Sequence, residues 1–494
     1  MDKSSGISAA HPLAVEAGMN ILRKGGNAVD AAVTVSFVLG VVEPYASGIG
    51  GGGNMLILPE NGREPVVYDY RETAPKAIHS TYKIGVPGFV KGMETVHRDH
   101  GELSWQDVLQ PAIHLANNGF KINAILANNL QNAHHVDWSK DERLFPNGVP
   151  LNADGWLVQK ELAHLMEQIV TEGSHYFYEG AFAKKIVDEN IGMTLDDLLA
   201  YDVKQRKPLR GHYQSTDIYT APAPVAGSLL LQALKLIEQT NLDDYQTDDV
   251  LFKIGLSEIL QLCFHEFYYT IGDPDFESID ENQLLEEAFP KLLRHMKQKQ
   301  YVRPKKAIID ENNTTHFSVI DANGMAVATT NTLSSFFGSG LLVDSIYLNN
   351  QMQNYTDEVD LPNSVVHGKR CTSTIAPTIM TSADQPHLII GASGAGRIPF
   401  SLAKVIVDTI KHGKTVDEAI QDERFFAIDH KLYTEKRLTD AEIARVAKNG
   451  YEYVYHPDQM FYGGVQAIHL KDQLITGAAD RRRGGIFQYE SLQK

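Results

Sequence analysis

The chain has 494 residues, is 43% hydrophobic and 22% charged, and carries a formal net charge of −17. That length accommodates roughly two to four domains of ordinary globular composition, and the acidity excludes nucleic-acid binding as the main role, while a polyanionic substrate would need local basic groups to hold it. The 2 cysteines, Cys263 and Cys371, exclude a disulfide scaffold, and no His or Cys spacing matches a metal site.

Met1 to Ser5 lacks the apolar core of a secretory signal. The chain as given is therefore expected in the cytoplasm, or outside the cell or at its surface if a signal peptide has been trimmed. Residues 10–42 read as two helices. Leu13, Ala14, Met19, Ile21 and Leu22 follow a helical period that Gly25-Gly26 ends. Asp30 to Val42 is apolar on all sides and reads as a buried helix; its run of about a dozen apolar residues is too short to cross a bilayer. Gly48 to Gly53 comes next, followed by the strand-like Met55 to Leu58. A dinucleotide-binding glycine loop needs a strand before it and a helix after it. The order here is reversed, so the run reads as a turn that needs positive φ or close packing. Val66 to Tyr70 reads as a strand closed by Arg71-Glu72-Thr73-Ala74-Pro75. Residues 86–300 read as mainly helical, with turns at Gly85 to Gly88 and Gly272 to Pro274.

Asp310 to Asn313 is polar and reads as an exposed loop, and from Thr314 the texture turns to β. Phe317 to Asp321, Met325 to Thr330, Ser345 to Leu348, His387 to Ile390, Gly464 to Leu470 and Leu474 to Ala478 are the strand candidates, with one helix over Pro399 to Ile410. Helices around many strands, without βαβ alternation or a linker, predict a layered α+β sandwich.

Thr314-Thr315 stands at the head of a strand, where two threonines are ordinary β-formers. If the Asn313–Thr314 bond is cut, Thr314 gains an α-amine of pKa roughly 7.7–8.0 beside its hydroxyl. The residue then holds both a nucleophile and the base that activates it. Gly391-Ala392-Ser393-Gly394-Ala395-Gly396-Arg397 lies between a strand and a helix. It is either a plain turn or a set of N–H donors for an oxyanion. Arg71-Glu72 is either a surface ion pair or a fork for a carboxylate. Gly368 to Thr374 is either a polar turn or a cation-and-hydroxyl site, and Arg481-Arg482-Arg483 either a solvated patch or an anion clamp.

The order of these pieces resembles the γ-glutamyltransferase (glutathione hydrolase) family of N-terminal-nucleophile hydrolases. The resemblance rests on Ala9 to Ala14, Gly26 to Ala32, Ser47 to Gly52, Arg71 to Pro75, Gly85 to Gly88, Gly272 to Pro274, Thr314 to His316, Leu348 to Met352, Ala376 to Thr378 and Gly463 to Ala467. It implies a four-layer αββα sandwich in which residues 1–494 form one intertwined domain. Self-cleavage at Asn313–Thr314 would give a large subunit of 1–313 and a small subunit of 314–494, held together as a heterodimer. The cut would begin with attack of the Thr314 hydroxyl on the Asn313 carbonyl. Thr314 matches the family nucleophile, Thr332 the threonine that orients it, and Gly394 and Ala395 the oxyanion pair. Ala395 departs from the family's glycine, and function is expected to survive if its φ is negative. Arg71 matches the arginine that grips the substrate α-carboxylate, with Ser373 and Thr374 assisting; Arg397 joins the substrate-binding candidates.

Two departures bear on substrate. Gln353 stands where the family has an acid for the α-ammonium, and the segment from Gln353 to Arg370 is shorter than in members with a lid loop. Both departures, with Thr332 to Gly338, resemble the poly-γ-glutamate capsule depolymerase branch, whose substrate-contacting arginines match Arg482 and Arg483. The expected activity is cleavage of γ-glutamyl amide bonds in a peptide or polymer, through a γ-glutamyl ester passed to water or an amine. No metal, cofactor, nucleic acid or membrane span is implied. The alternatives are an acylase of the same fold acting on β-lactam side chains, and an inactive binder of γ-glutamyl peptides.

Overall fold

The computed structural model describes residues 4–60, 63–298, 312–471 and 474–491. Near the start of the chain, α1 (Pro12–Arg23) begins where His11 caps the Leu13 N–H at 3.2 Å and Pro12 fills the first turn. Helix α2 (Ala28–Val42) opens on a capping box: Asn27 accepts from the Val29 and Asp30 N–H groups at 2.9 and 3.0 Å, and Asp30 accepts from the Asn27 N–H at 2.9 Å. Every α2 residue except Gly40 is buried, as its all-round apolar sequence requires.

The main strands, in chain order, are β1 (Ser4–Ala9), β2 (Gly52–Leu58), β3 (Val66–Asp69), β4 (Lys204–Arg206), β5 (Leu209–Tyr213), β6 (Thr216–Thr220), β7 (Asn312–Ile320), β8 (Ala326–Ser335), β9 (Thr378–Ser382), β10 (Gln385–Ser393), β11 (Gly464–Lys471), β12 (Leu474–Ala479) and β13 (Ile486–Ser491). They form a seven-stranded sheet of order β13-β1-β7-β8-β2-β3-β4 and a six-stranded sheet of order β12-β11-β10-β9-β6-β5. All the pairings within both are antiparallel. Both sheets mix strands from before residue 313 with strands from after it.

Helices α1 and α2 share a core with Phe317, Val319 and Val327 of the first sheet. Helices α3 (Gly227–Gln239) and α5 (Ile398–Ile406) cover the second sheet, and α4 (Val250–Thr270) packs on both helices. Between the sheets, Leu56, Ile320, Ala326 and Ala328 share a core with Ile379 and Ile389. The result is the expected αββα sandwich. Among the described residues no helix is long and apolar enough to cross a membrane.

Three expectations are corrected. The mainly helical stretch 86–300 contains β4, β5 and β6; β6 alternates buried and half-buried residues, a period-2 signal only five residues long between long helices. The helix expected to reach Ile410 ends at Ile406 and continues as a π-helical turn over Val407–Lys411. There Asp408 is buried and accepts from Lys404 at 2.7 Å. Asp310 and Glu311 of the expected loop lie outside the described residues, but Asn312 and Asn313 extend β7, opposite Ser335 and Ser334.

Candidate functional site

The site is built at the ends of central strands of both sheets. In the β7–β8 ladder Thr314 lies opposite Thr332, and a bulge follows at once: Leu333 is the extra residue and Ser334 takes φ +79°. The Thr314 and Thr332 hydroxyls are 3.3 Å apart, and Thr332 Oγ1 accepts the Ser334 N–H at 2.8 Å. Side chains alternate along a strand, so Thr314 shares a face with His316 and Ser318, which look toward the second sheet. The His316 ring packs so closely on Gly391 that a Cβ there would lie 2.2 Å from it. Burial lowers the His316 pKa to about 3, so the imidazole is a neutral partner of the Thr330 hydroxyl at 2.8 Å.

Across from β7, β10 ends at Ser393 and the chain turns into α5 through Gly394 to Arg397. Strand β7 packs against β10 and against this turn. Gly394 has φ +125°, and a Cβ on it would meet Gly463 Cα at 2.9 Å, so both conformation and space require glycine. Ala395 has φ +54°, not the negative value expected. The chain passes from strand to helix within Gly394 to Arg397, and the turn places its first two residues at positive φ, at a cost of roughly 1–2 kcal/mol for one with a Cβ.

The glycine run acts through close packing. A Cβ at Gly51 would sit 2.2 Å from Thr332 O, and one at Gly52 would sit 3.0 Å from Arg71 Cα. Glycines therefore let β2 lie close to the strand that carries Thr332 on one side and to the Arg71 segment on the other. Arg71 is fully buried; its Nη1 donates to Cys371 O at 2.5 Å and its Nη2 to Cys371 Sγ at 3.3 Å. Thr73 bridges to Arg370, and Ser373 N–H donates to Pro224 O at 3.1 Å. Arg71 thus meets the 368–374 segment at Cys371, two residues before Ser373.

Gln353 is engaged at both ends of its amide: Oε1 accepts from Asn350 Nδ2 at 3.0 Å, and Nε2 donates to Ser335 Oγ at 3.0 Å. Arg397 is buried with its guanidinium 4.6 Å from the centre of the Phe461 ring and 5.7 Å from that of Phe426. The arginine pair is not what the sequence led one to expect. Arg482 is buried with its nitrogens bonded to protein: Nε to Glu435 at 2.9 Å, Nη1 to Ile420 O and Asp480 at 3.1 and 3.0 Å, and Nη2 to Glu435 and Asp422 O at 2.6 and 2.8 Å. That bonding makes it a brace between chain segments. Arg483 is also buried; it packs against Gly464, and its charge lowers the pKa of Glu43.

Two carboxyls of this region take on weight only in the structure: Glu43, on which the sequence reading is silent, and Glu72, which it pairs with Arg71. Glu43 is buried behind the nucleophile strand and accepts from Thr315 Oγ1 at 3.3 Å and Tyr45 Oη at 3.0 Å. Burial raises it to about 7, partly offset by those hydroxyls and by Arg483. Glu72 is buried beside Arg71 and neither of its oxygens has a hydrogen-bond partner; burial raises it to about 7 against the pull of Arg71. A Glu just beyond a long apolar helix, and one beside an Arg at a strand end, were the available signals, but neither carries chemistry until the layers are stacked.

Comparison with known proteins gives a consistent outcome. The family profile described as gamma-glutamyltranspeptidase matches residues 14–489. The capsule biosynthesis protein CapD proenzyme of Bacillus anthracis is 39% identical over 488 residues, covering 98% of this chain and 90% of that one. The glutathione hydrolase proenzyme of Bacillus subtilis strain 168 is 32% identical over 537 residues, covering 98% and 91%. Among solved structures, the cephalosporin acylase from Bacillus halodurans superposes with a TM-score of 0.87 over 100% of this chain and 96% of that one; its 22% identity bears on the fold alone. The CapD transpeptidase of Bacillus anthracis is 40% identical, with a TM-score of 0.52, over 57% of this chain and 97% of that one.

Proposed function

The chain belongs to the γ-glutamyltranspeptidase family, and from that premise we propose that Thr314 is its nucleophile, released by a cut at Asn313–Thr314 that yields subunits 1–313 and 314–494. The enzyme cleaves γ-glutamyl amide bonds and passes the glutamyl group to water or an amine. The observation that carries the site reading is the Thr314–Thr332 hydroxyl pair at 3.3 Å beside the Gly394–Ala395 turn.

In the cut form Thr314 Oγ attacks the γ-carbonyl. Its proton passes to the Thr314 α-amine, which is partly neutral near pH 7–8, and then to the departing amine. The Gly394 and Ala395 N–H groups receive the oxyanion, aided by the N-terminal end of α5. The resulting γ-glutamyl ester on Thr314 is attacked by water or an acceptor amine, which regenerates the hydroxyl. Arg71, with Ser373 and Thr374, grips the α-carboxylate. Between Thr314 and the Arg71 segment, which follows β3, lie the strands β8 and β2, three steps of about 4.8 Å that an extended γ-glutamyl unit has to span.

Two features favour poly-γ-glutamate over glutathione. Gln353 puts a neutral amide, occupied by Asn350 and Ser335, where an acid would hold a free α-ammonium. The likeness to CapD points the same way. Arg482 is not proposed as a substrate contact, because its donors are already bonded.

The test is Thr314→Ala. One uncut polypeptide by mass spectrometry and no turnover are expected, and a variant that still splits in two would refute the assignment. Wild type should shorten poly-γ-glutamate faster than it turns over a γ-glutamyl anilide. Rapid anilide turnover without polymer shortening would remove the polymer reading.

A further inference from the structure

The turn Glu43 to Ala46, at the C-terminal end of α2, holds both strands that bear the hydroxyl pair. Thr315 Oγ1 donates to Glu43 Oε2 at 3.3 Å. Leu333 N–H donates to Ala46 O at 3.0 Å, and Phe337 N–H to Tyr45 O at 3.0 Å. The turn is closed by Ala46 N–H donating to Glu43 O at 2.9 Å and by Tyr45 Oη donating to Glu43 Oε1 at 3.0 Å. Thr315 is the residue after Thr314, and Leu333 the residue after Thr332. One turn therefore grips, from the α2 side, the immediate neighbour of each hydroxyl that meets on the other face.

That grip matters most once the chain is cut. A terminal residue frays unless something ties it down, and a displacement of about 1 Å in a reacting group lowers the rate roughly a hundredfold. After the cut Thr314 is terminal, and the side chain nearest to it along the strand is Thr315, anchored on Glu43.

We propose that the 43–46 turn is the positioning device for the Thr314–Thr332 pair, with Glu43 as a positioning residue that acts through Thr315. This rests on Thr314 being the nucleophile. The groups that face the Glu43 carboxyl are the Tyr45 hydroxyl on its own turn, the Thr315 hydroxyl on β7 and the Arg483 guanidinium, which in turn faces Asp480 and Asp458. As a carboxylate, Glu43 accepts both hydroxyl hydrogen bonds. When protonated, one of its oxygens becomes a donor and competes with them. With burial holding Glu43 near 7, the grip tightens as pH rises through neutrality, just below the α-amine ionisation at roughly 7.7–8.0. Two ionisations then shape the acid limb of kcat, which should fall more steeply than tenfold per pH unit.

The experiment compares Thr315→Val, Thr315→Ser and Glu43→Gln in the processed enzyme. Thr315→Val should lower kcat about tenfold or more, leave KM within about twofold, and reduce the acid limb to tenfold per unit. Thr315→Ser keeps the donor and should restore most of kcat and the steep limb. Glu43→Gln removes the ionisation and should give the shallow limb whether or not kcat falls; it serves alone if Thr315→Val does not fold. Wild-type kcat and limb in Thr315→Val, loss that Thr315→Ser does not restore, or a steep limb in Glu43→Gln would each overturn the proposal. Thr314→Ala assayed alongside separates the premise: turnover in that variant would sink the nucleophile assignment, whereas an inactive Thr314→Ala with a normal Thr315→Val would sink only the turn's role.

Discussion

At the scale of single residues, Ala395 is the most informative departure. Its φ of +54° puts a Cβ in a conformation that glycine adopts freely. Ala395→Gly should raise stability by up to about 1 kcal/mol, the relief of the left-handed strain less the extra freedom of the unfolded chain. Turnover should be unchanged, because the N–H keeps its direction. Denaturant midpoints and steady-state rates check both. A stability loss would mean that the Ala395 methyl makes a packing contribution larger than the strain. The candidates Thr314, Thr332, Gly394 and Arg71 stand out in the sequence because their motifs are local. Arg482 misled because its neighbours are not: Glu435 and the Asp422 carbonyl lie far away in sequence and reach it only through the fold.

Among the elements, α2 bears the most on the site, since it ends in the turn that holds both hydroxyl strands. Its start depends on Asn27, which accepts two helix N–H groups and also donates to His100 O at 2.6 Å. Asn27→Ala should cost about 1–2 kcal/mol, read as a lower urea midpoint. Activity under native conditions should be retained, because the cap lies at the opposite end of the helix from Glu43. The strands expected from sequence, β2, β3, β7, β8, β10, β11 and β12, carry apolar or alternating runs. The sequence reading does not include β1, β4, β5, β6, β9 and β13, which are three to six residues long and form because neighbouring strands supply the hydrogen bonds. The bulge at Leu333 was equally invisible: it is a property of the β7–β8 register and exists only in the pair.

For the whole molecule, buried ionisable groups set the pH response. Burial lowers His11 to about 4, His316 to about 3 and His469 to about 4, from an ordinary 6.5. A depressed histidine contributes stability that is complete above the unfolded pKa and lost as pH falls toward the folded one. Burial raises Glu43, Glu72 and Glu281 to about 7, from an ordinary 4.5. A raised carboxyl contributes stability that is complete below 4.5 and lost as pH rises to about 7. Between about 4.5 and 6.5 the two sets have opposite slopes and offset one another, so stability should be nearly flat there and fall steeply below about 4.5. Glu72→Gln removes one carboxyl and should tilt that plateau, stability rising with pH by about 1.4 kcal/mol per unit. Urea midpoints from pH 4 to 7 for both proteins check this, and parallel curves would refute it.

By itself the sequence determined the family and the αββα layering, and it singled out Thr314 and the Gly394–Ala395 turn as candidates, because each is written in contiguous motifs or in the hydrophobic period of one element. Tertiary structure alone decided the left-handed Ala395, the bracing of Arg482 and the placing of Glu43 behind Thr315. Each of these is fixed by atoms remote in the chain, through the turn between β10 and α5, the desolvation of a charge inside the sandwich, or the stacking of α2 on the first sheet. No local pattern encodes which distant group a buried side chain will meet.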